Sequence, residues 1–325
     1  MTVKVSKPAI NVREELADLR KPTGIAGEAM LRAETPQEQF NLIGAGRRNL
    51  IINGDFDIWQ RGTSFSANAY TADRWISSLG TVTKDGAALK HVSTTTDPYL
   101  LYKVEDVGNK LAGNKAVLSF YLKTSGSDNR LQYVTFSGTN YYHSQMYQLP
   151  SELEGYTHWV CPVEITSANT DIIRIVIELH GVSGHTSWLR KVQLELGKVA
   201  TPFEHRSYGE ELAACQRYYY RHQRGGQSAY VGTAQCTSAS NAELIYFHPV
   251  QMRASPQMDF SGTMRVKTAN GAGSTNQNST AVSFDDPEQL CTQIGITITS
   301  GLVAGNAATV YFTGGNDYIE GDAEL

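Results

Sequence analysis

The sequence predicts a mainly β protein: a jelly-roll β-sandwich with a short helical N-terminal attachment segment before it and a second, smaller C-terminal β domain after it. Three observations point there. Apolar and polar residues alternate at period two in several stretches, turn signals separate those stretches, and the 325 residues include 17 Tyr and 29 Gly. Tyrosine joins an apolar body to a polar edge, which suits strand surfaces and wet interfaces, while glycine supplies turns. A chain of this length is comfortable as two packed units, and 41% hydrophobic with 18% charged residues is a folding composition rather than a disordered one.

Residues 1–48 form the helical attachment segment. Asn11 can cap a short helix with Glu14 as its capping-box partner, and Lys21-Pro22 ends it. Thr35-Pro36-Gln37-Glu38 starts a second helix, which stops at Gly44-Ala45-Gly46. Helices this short do not hold themselves together in water, so the segment needs something to dock on. Its apolar faces are Val12, Leu16 and Leu19 on the first helix and Phe40, Leu42 and Ile43 on the second.

From Asn49 to Arg206 the period is two. Leu118, Phe120 and Leu122 alternate with polar or exposed-type neighbours, as do Ile173, Ile175, Ile177 and Leu179, and Val192, Leu194 and Leu196. These are half-buried antiparallel strands, with turns expected at Ser125–Asp128, Ser137-Gly138, Glu154-Gly155 and Ser183-Gly184. Ser207-Tyr208-Gly209-Glu210 is a capping box that opens a linking helix, taken to span 207–223 with the tyrosine run Tyr218-Tyr219-Tyr220 at its end. After a hinge-like Arg224–Ser228, residues 224–325 return to strands at Glu243–Phe247, Met258–Phe260, Gly295–Thr299 and Thr309–Phe312, around a polar loop at Ala269–Ser279.

The charge balance, 28 − 32 = −4, comes with no basic run longer than Arg47-Arg48, which argues against broad nucleic-acid or anionic-membrane binding. No stretch approaches 18 apolar residues and the first fifteen residues lack a signal-peptide core, so the protein is expected to be made in a cytoplasm and not inserted in a membrane. Cys161, Cys215, Cys236 and Cys291 are scattered and read as free thiols rather than a metal clip. There is no nucleophile elbow and no H-E-x-x-H, and Gly44–Asn49 lacks the third glycine and the preceding strand of a dinucleotide site. No cofactor and no catalytic residue is expected. The acids at Glu152, Glu154, Asp285, Asp286 and Glu288 leave a polysaccharide-cutting enzyme as the weaker alternative.

One stretch, Asn49-Leu-Ile-Ile-Asn-Gly-Asp-Phe-Asp-Ile-Trp-Gln-Arg-Gly62, reads physically as a first strand at Leu50–Ile52, a turn at Asn53-Gly54 and apolar anchors at Phe56, Ile58 and Trp59. Together with YTADRW at Tyr70–Trp75 and KVQLELGKVATPFEHRSYGEELAACQRYY at Lys191–Tyr219, it resembles a set found in bacteriophage tail-fibre and other virion-surface proteins. The body between these segments is similar to carbohydrate-binding-module jelly rolls, and the leader resembles the N-terminal attachment segment of short-tailed phage fibres. The resemblance implies a virion (phage tail) homotrimer made in the host bacterial cytoplasm, bound to tail or adaptor proteins through its N-terminus. Its ligand would be a bacterial surface glycan or protein receptor. A carbohydrate-binding or head-decoration module without a tail role is the alternative. It also implies that Leu50–Asn53 pairs with Val192–Leu196, that Thr201–Glu204 closes the domain, and that a structural calcium near Asp55 is possible, although Arg190-Lys191-Val192-Gln193 stands where the last-strand acid is expected.

Binding is expected at the C-terminal tip, through Asn276, Asn278, Asn316 and Tyr318, whose polar and aromatic groups suit adaptable contacts. Tyr141 and Tyr142 of the sandwich, with His143, Tyr99, Tyr102 and Trp188, are further candidates for stacking on sugar rings. The linking helix has two open readings: a threefold contact through Leu212, Ala213 and Cys215, or a cap on its own sandwich.

Overall fold

The computed structural model describes residues 48–66, 68–94, 98–105, 111–125, 133–136, 139–165, 172–179, 183–223, 229–268 and 275–325. The attachment residues Val12, Leu16, Leu19, Phe40, Leu42 and Ile43 lie outside them, as do the hinge 224–228 and residues 269–274 of the polar loop.

Two antiparallel sheets enclose the first core. One runs, edge to edge, β1 (Ser64–Phe65), β4 (Gly80–Asp85), β5 (Ala88–Ser93), β13 (Thr186–Leu196), β7 (Lys115–Thr124), β11 (Thr157–Glu164) and β10 (Tyr147–Leu149). The other runs β2 (Ala69–Tyr70), β3 (Trp75–Ser77), β6 (Tyr99–Glu105), β12 (Ile172–Glu178), β8 (Tyr133–Phe136) and β9 (Thr139–Tyr142). From β5 to β8 and from β11 to β13, consecutive strands alternate between the sheets, the jelly-roll manner of connection. The alternation seen in the sequence is the burial pattern: Leu118, Phe120 and Leu122 meet Ile173, Ile175 and Ile177 across the core. Phe56, Trp75 and Tyr102 form a chain of rings with centroids 5.1 and 4.9 Å apart at one end of it.

The expected first strand at Leu50–Ile52 is not a ladder strand. Two backbone bonds tie the segment to β13, Leu50 N–H to the Leu194 carbonyl and Val192 N–H to the Gly54 carbonyl, both 2.8 Å. Side chains do the rest. The Asn49 amide donates to the Val192 carbonyl and accepts from the Leu194 and Ile51 N–H groups, so an asparagine replaces part of a ladder. Asn53, at φ 58°, bridges the Ile58 and Asp73 backbones with its side chain, and asparagine tolerates that left-handed conformation. A Cβ on Gly54 would stand 2.2 Å from the Val192 carbonyl oxygen, so only glycine admits this approach. Thr201–Glu204 closes the domain: Glu204 accepts from the Asn49 N–H at 2.7 Å, and Glu195 holds Thr201 through its N–H and hydroxyl.

Helix α1 (Tyr208–Gln216) has Ser207 as its N-cap and the complete capping box with Glu210. It docks on its own chain. Glu211 accepts from the Asn53 N–H and the Arg206 guanidinium, and Cys215 is fully buried, so Cys215 is unavailable to a threefold contact. The tyrosine run is not the end of this helix. Tyr219 starts strand β14 (Tyr219–Gln223), which pairs with β23 (Tyr318–Asp322), and β23 pairs with β17 (Gln257–Ser261). This sheet covers a second core against a seven-stranded one: β19 (Asn276–Asn278), β18 (Met264–Thr268), β22 (Ala307–Phe312), β15 (Tyr230–Cys236), β16 (Asn241–Phe247), β21 (Cys291–Thr297) and β20 (Ala281–Asp285). Tyr220 lies in that core, so the C-terminal sandwich begins at Tyr219 rather than at 224.

The stretches Asn49–Gly62, Tyr70–Trp75 and Lys191–Tyr219 converge where the two sandwiches meet. Arg74 of YTADRW pairs with Glu324, with side chains 1% and 4% exposed. Its guanidinium also donates to the Lys103 carbonyl at 2.7 Å and lies 3.5 Å over the Tyr218 ring. Arg61, the penultimate residue of the opening stretch, lies 3.4 Å over Tyr219 and pairs with Asp322 and Glu324. Gln60 donates to the Tyr219 carbonyl and to Asp73; burial pushes the Asp73 carboxyl up, against those two donors. Glu105 accepts from Arg217 and the Tyr218 hydroxyl and lies 3.6 Å from Arg253, and these donors hold its carboxyl below the usual range in spite of partial burial.

Removing one partner of a buried pair strands the other. Glu324→Ala is expected to lower the unfolding free energy by about 3–5 kcal/mol, more than Arg217→Ala at the exposed rim of the same junction; urea melts that rank the two equally would disprove the weight placed on Arg74.

Candidate binding surfaces

The outer face of the seven-stranded C-terminal sheet carries a row of polar and aromatic side chains. Strand register places Asn278 opposite Arg265, Arg265 opposite Tyr311 and Tyr311 opposite Tyr230, with Asn276 and Lys267 paired one step along. The members hold one another: Arg265 Nε donates to Asn278 Oδ1 and the Tyr311 hydroxyl to Asn276 Oδ1, each at 2.8 Å. The Tyr311 and Tyr230 rings meet edge to face at 6.1 Å. Tyr230 is 71% exposed, and on β16 of the same sheet Ile245 and Phe247 also face solvent. Their sequence neighbours Met264, Val266, Val310 and Phe312 are buried in the core, so the pleat itself points the row outward.

Asn276 and Asn278 therefore share a surface, while Asn316 and Tyr318 sit on a different one. Asn316 is exposed in a turn closed by Asp317, which accepts from the Thr313 and Gly314 N–H groups. Tyr318 lies on the three-stranded sheet under the Arg221 guanidinium at 4.1 Å. Arg221 reaches the Arg61 carbonyl, so this second face leads into the junction between the sandwiches. Of the four residues expected at the tip, Asn276 and Asn278 lie on the seven-stranded sheet and Tyr318 on the three-stranded one, with Asn316 in the turn between β22 and β23.

In the first sandwich, Tyr141 is partly buried and its hydroxyl accepts from the Glu164 N–H at 3.1 Å. Tyr142, 54% exposed, is tilted against Tyr133 on the edge of its sheet. Tyr102 is a core residue whose hydroxyl accepts from the Ile52 N–H, which removes it as a sugar contact. The sequence reading passed over Arg265, Lys267, Tyr230 and Tyr311. Period-two alternation around Val266 and Val310 marks them as outward-facing, but only strand pairing shows which of them adjoin.

The residues near Asp55 do not fit a calcium ion. Arg190 takes both carboxylate oxygens, at 3.1 and 3.0 Å, and the Lys191 N–H also donates to Oδ1. A guanidinium supplies the positive charge that a chelated cation would bring. Among the described residues, no three His, Cys, Asp or Glu side chains gather as metal ligands.

No family model matches the chain, and no curated protein matches it. Solved structures similar to it at low identity include the following two. The first is the N-terminal CBM22-1-CBM22-2 tandem domain of Xyn10C from Paenibacillus barcinonensis, 11% identical over 81% of this chain and 97% of that one, with a TM-score of 0.28. The second is a cycloisomaltooligosaccharide glucanotransferase from a Paenibacillus species complexed with cycloisomaltoheptaose, 8% identical over 78% of this chain, with a TM-score of 0.23. This chain spans 46% of that enzyme's length. Likenesses this distant carry no argument about ligand or assembly, and the sandwich architecture rests on this chain's own strand pairing.

Because Arg190 neutralises Asp55, calcium in millimolar excess and a chelator are expected to give melting temperatures within about 1 °C of each other; a native-state calcium site would raise the calcium sample by several degrees through mass action.

Proposed function

We propose that this chain is a non-catalytic virion subunit of phage tail-fibre type that attaches through residues 1–48 and recognises a glycan on the host cell surface. The observation that carries glycan recognition is the row Asn276, Asn278, Arg265, Tyr311 and Tyr230. Sugars offer rings with apolar faces and a rim of hydroxyls, and they are held by aromatic surfaces flanked by fixed amide and guanidinium groups. Here those groups stand on a sheet rather than on loops, already hydrogen-bonded to one another, so little ordering entropy opposes binding.

Several observations support binding over cleavage. The acids named for a cutting enzyme, Glu152, Glu154, Asp285, Asp286 and Glu288, are all exposed to solvent, whereas glycoside hydrolysis calls for a carboxyl held in a shielded environment beside a second one at fixed distance. The tail role, the trimer and the virion location rest on the resemblance of the three quoted segments and of the leader.

Tyr230→Ala with Tyr311→Ala is expected to reduce binding to host cells by about tenfold or more, with an unchanged melting temperature because both rings face solvent. Unchanged adsorption would exclude this face. Separately, the purified chain is expected to scatter light with a mass near three times 35.7 kDa, and a form lacking residues 1–45 is expected to fold yet be absent from particles; particles that carry the truncated form would exclude the attachment role.

A further inference from the structure

The outer face of the seven-stranded sheet in the first sandwich is unevenly covered by its own chain. Strand β13 carries an irregularity between Arg190 and Gln193 in its pairing with β7, with Lys191 at φ 49°. On one side of it, Gln193 and Glu195 are buried beneath Thr201 and Pro202, to which they hydrogen-bond. On the other side Tyr121 and His158 are stacked at 4.2 Å and also buried, whereas Lys90, Lys123 and Trp188 are only partly buried.

That open end is organised around Trp188. Register sets Lys90 of β5 and Lys123 of β7 directly opposite Trp188 on its two sides. Leu89, Leu122 and Leu189 point into the core, so the three intervening side chains point out. Both ammonium groups converge on the indole, with Nζ 5.8 and 5.0 Å from the ring centroid. The indole N–H donates to Asp85 Oδ2 at 2.9 Å, which fixes the ring on the sheet. Tyr156 borders the group, 6.0 Å from Lys123 Nζ. Neither Lys90 nor Lys123 forms a salt bridge with a carboxylate among the described residues, while the neighbouring Arg190 does, with Asp55. Two ammonium groups beside an oriented aromatic ring, with the single carboxylate of Asp85 on the indole N–H, leave the group with one positive charge in excess, which suits a ring-shaped anion.

We propose that this end of the first sandwich binds an acidic polysaccharide, a carboxylated pyranose stacking against Trp188 with its carboxylate between Lys90 and Lys123. The site is separate from the C-terminal row and does not rest on it. The carboxylate balances the positive charge that Asp85 alone leaves in excess, and the apolar ring face covers the indole.

Calorimetry of the full chain with polygalacturonate, with neutral dextran and dextran sulfate as comparisons, tests this. Polygalacturonate is expected to bind and dextran not to. Lys90→Met with Lys123→Met, and separately Trp188→Ala with both lysines kept, are each expected to weaken polygalacturonate binding by about tenfold or more, at melting temperatures near that of the parent. Three outcomes overturn the proposal: no polygalacturonate binding, full binding by folded Trp188→Ala, or dextran sulfate binding as tightly and just as insensitive to Trp188, which would reduce the site to bare charge. None of the substitutions touches the C-terminal row, so a negative result leaves the reading of that row standing.

Discussion

The ion pair between Arg74 and Glu324 is the constraint on which the arrangement of the two sandwiches depends. Charges removed from water to this degree are costly unless every donor and lone pair near them is answered. Arg74 is answered at its two terminal nitrogens from both bodies, by the Lys103 carbonyl in the first sandwich and by Glu324 beyond helix α1, with the ring of Tyr218 against the guanidinium, while its Nε–H is buried without a hydrogen-bond partner among the described residues. Separating the sandwiches would expose a guanidinium prepared for burial and strand Glu324. Domain stabilities are commonly about 5–15 kcal/mol, so leaving either charge buried without the other would cost an appreciable part of that, although the intact pair itself gives little net stability once desolvation is counted.

The rest of the junction follows from that pair. Arg61 reaches Asp322 and Glu324 from the opening stretch, and Gln60 holds Asp73 and the Tyr219 carbonyl. Helix α1 is fastened from below by Glu211 on the Asn53 N–H, and burial pushes the Cys215 thiol well above its ordinary range, in keeping with an inert packing role. The stretches Asn49–Gly62, Tyr70–Trp75 and Lys191–Tyr219 thus contribute to the interior joint and supply none of the proposed ligand contacts.

Most of the outer surface is decided by what the chain lays over it. In the first sandwich, the irregular turn of β13 at Lys191 lets Gly54 and Asp55 approach, and the strap at Thr201–Glu204 buries Gln193 and Glu195. The end bearing Trp188 stays open. In the second sandwich, the three-stranded sheet is turned toward the junction, which leaves the seven-stranded sheet as the broad free face.

The sequence by itself determined the local structure wherever a short-range rule decides it. Period-two alternation located β7, β12 and β13, because a strand with one face in the core must alternate, and Ser207 with Glu210 located the helix start, because a capping box closes within four residues. Only the tertiary structure decided the remainder. Leu50–Ile52 is apolar enough for a strand, yet asparagine side chains take over its hydrogen bonds; Tyr219 adjoins a helix in sequence but pairs with β23 about a hundred residues on. Asn276 and Tyr318 look alike as loop residues and lie on opposite sheets, while Lys90, Lys123 and Trp188 come from three distant segments and meet on one. Strand order and register are long-range facts, and adjacency across a sheet leaves no mark at any fixed spacing along the chain.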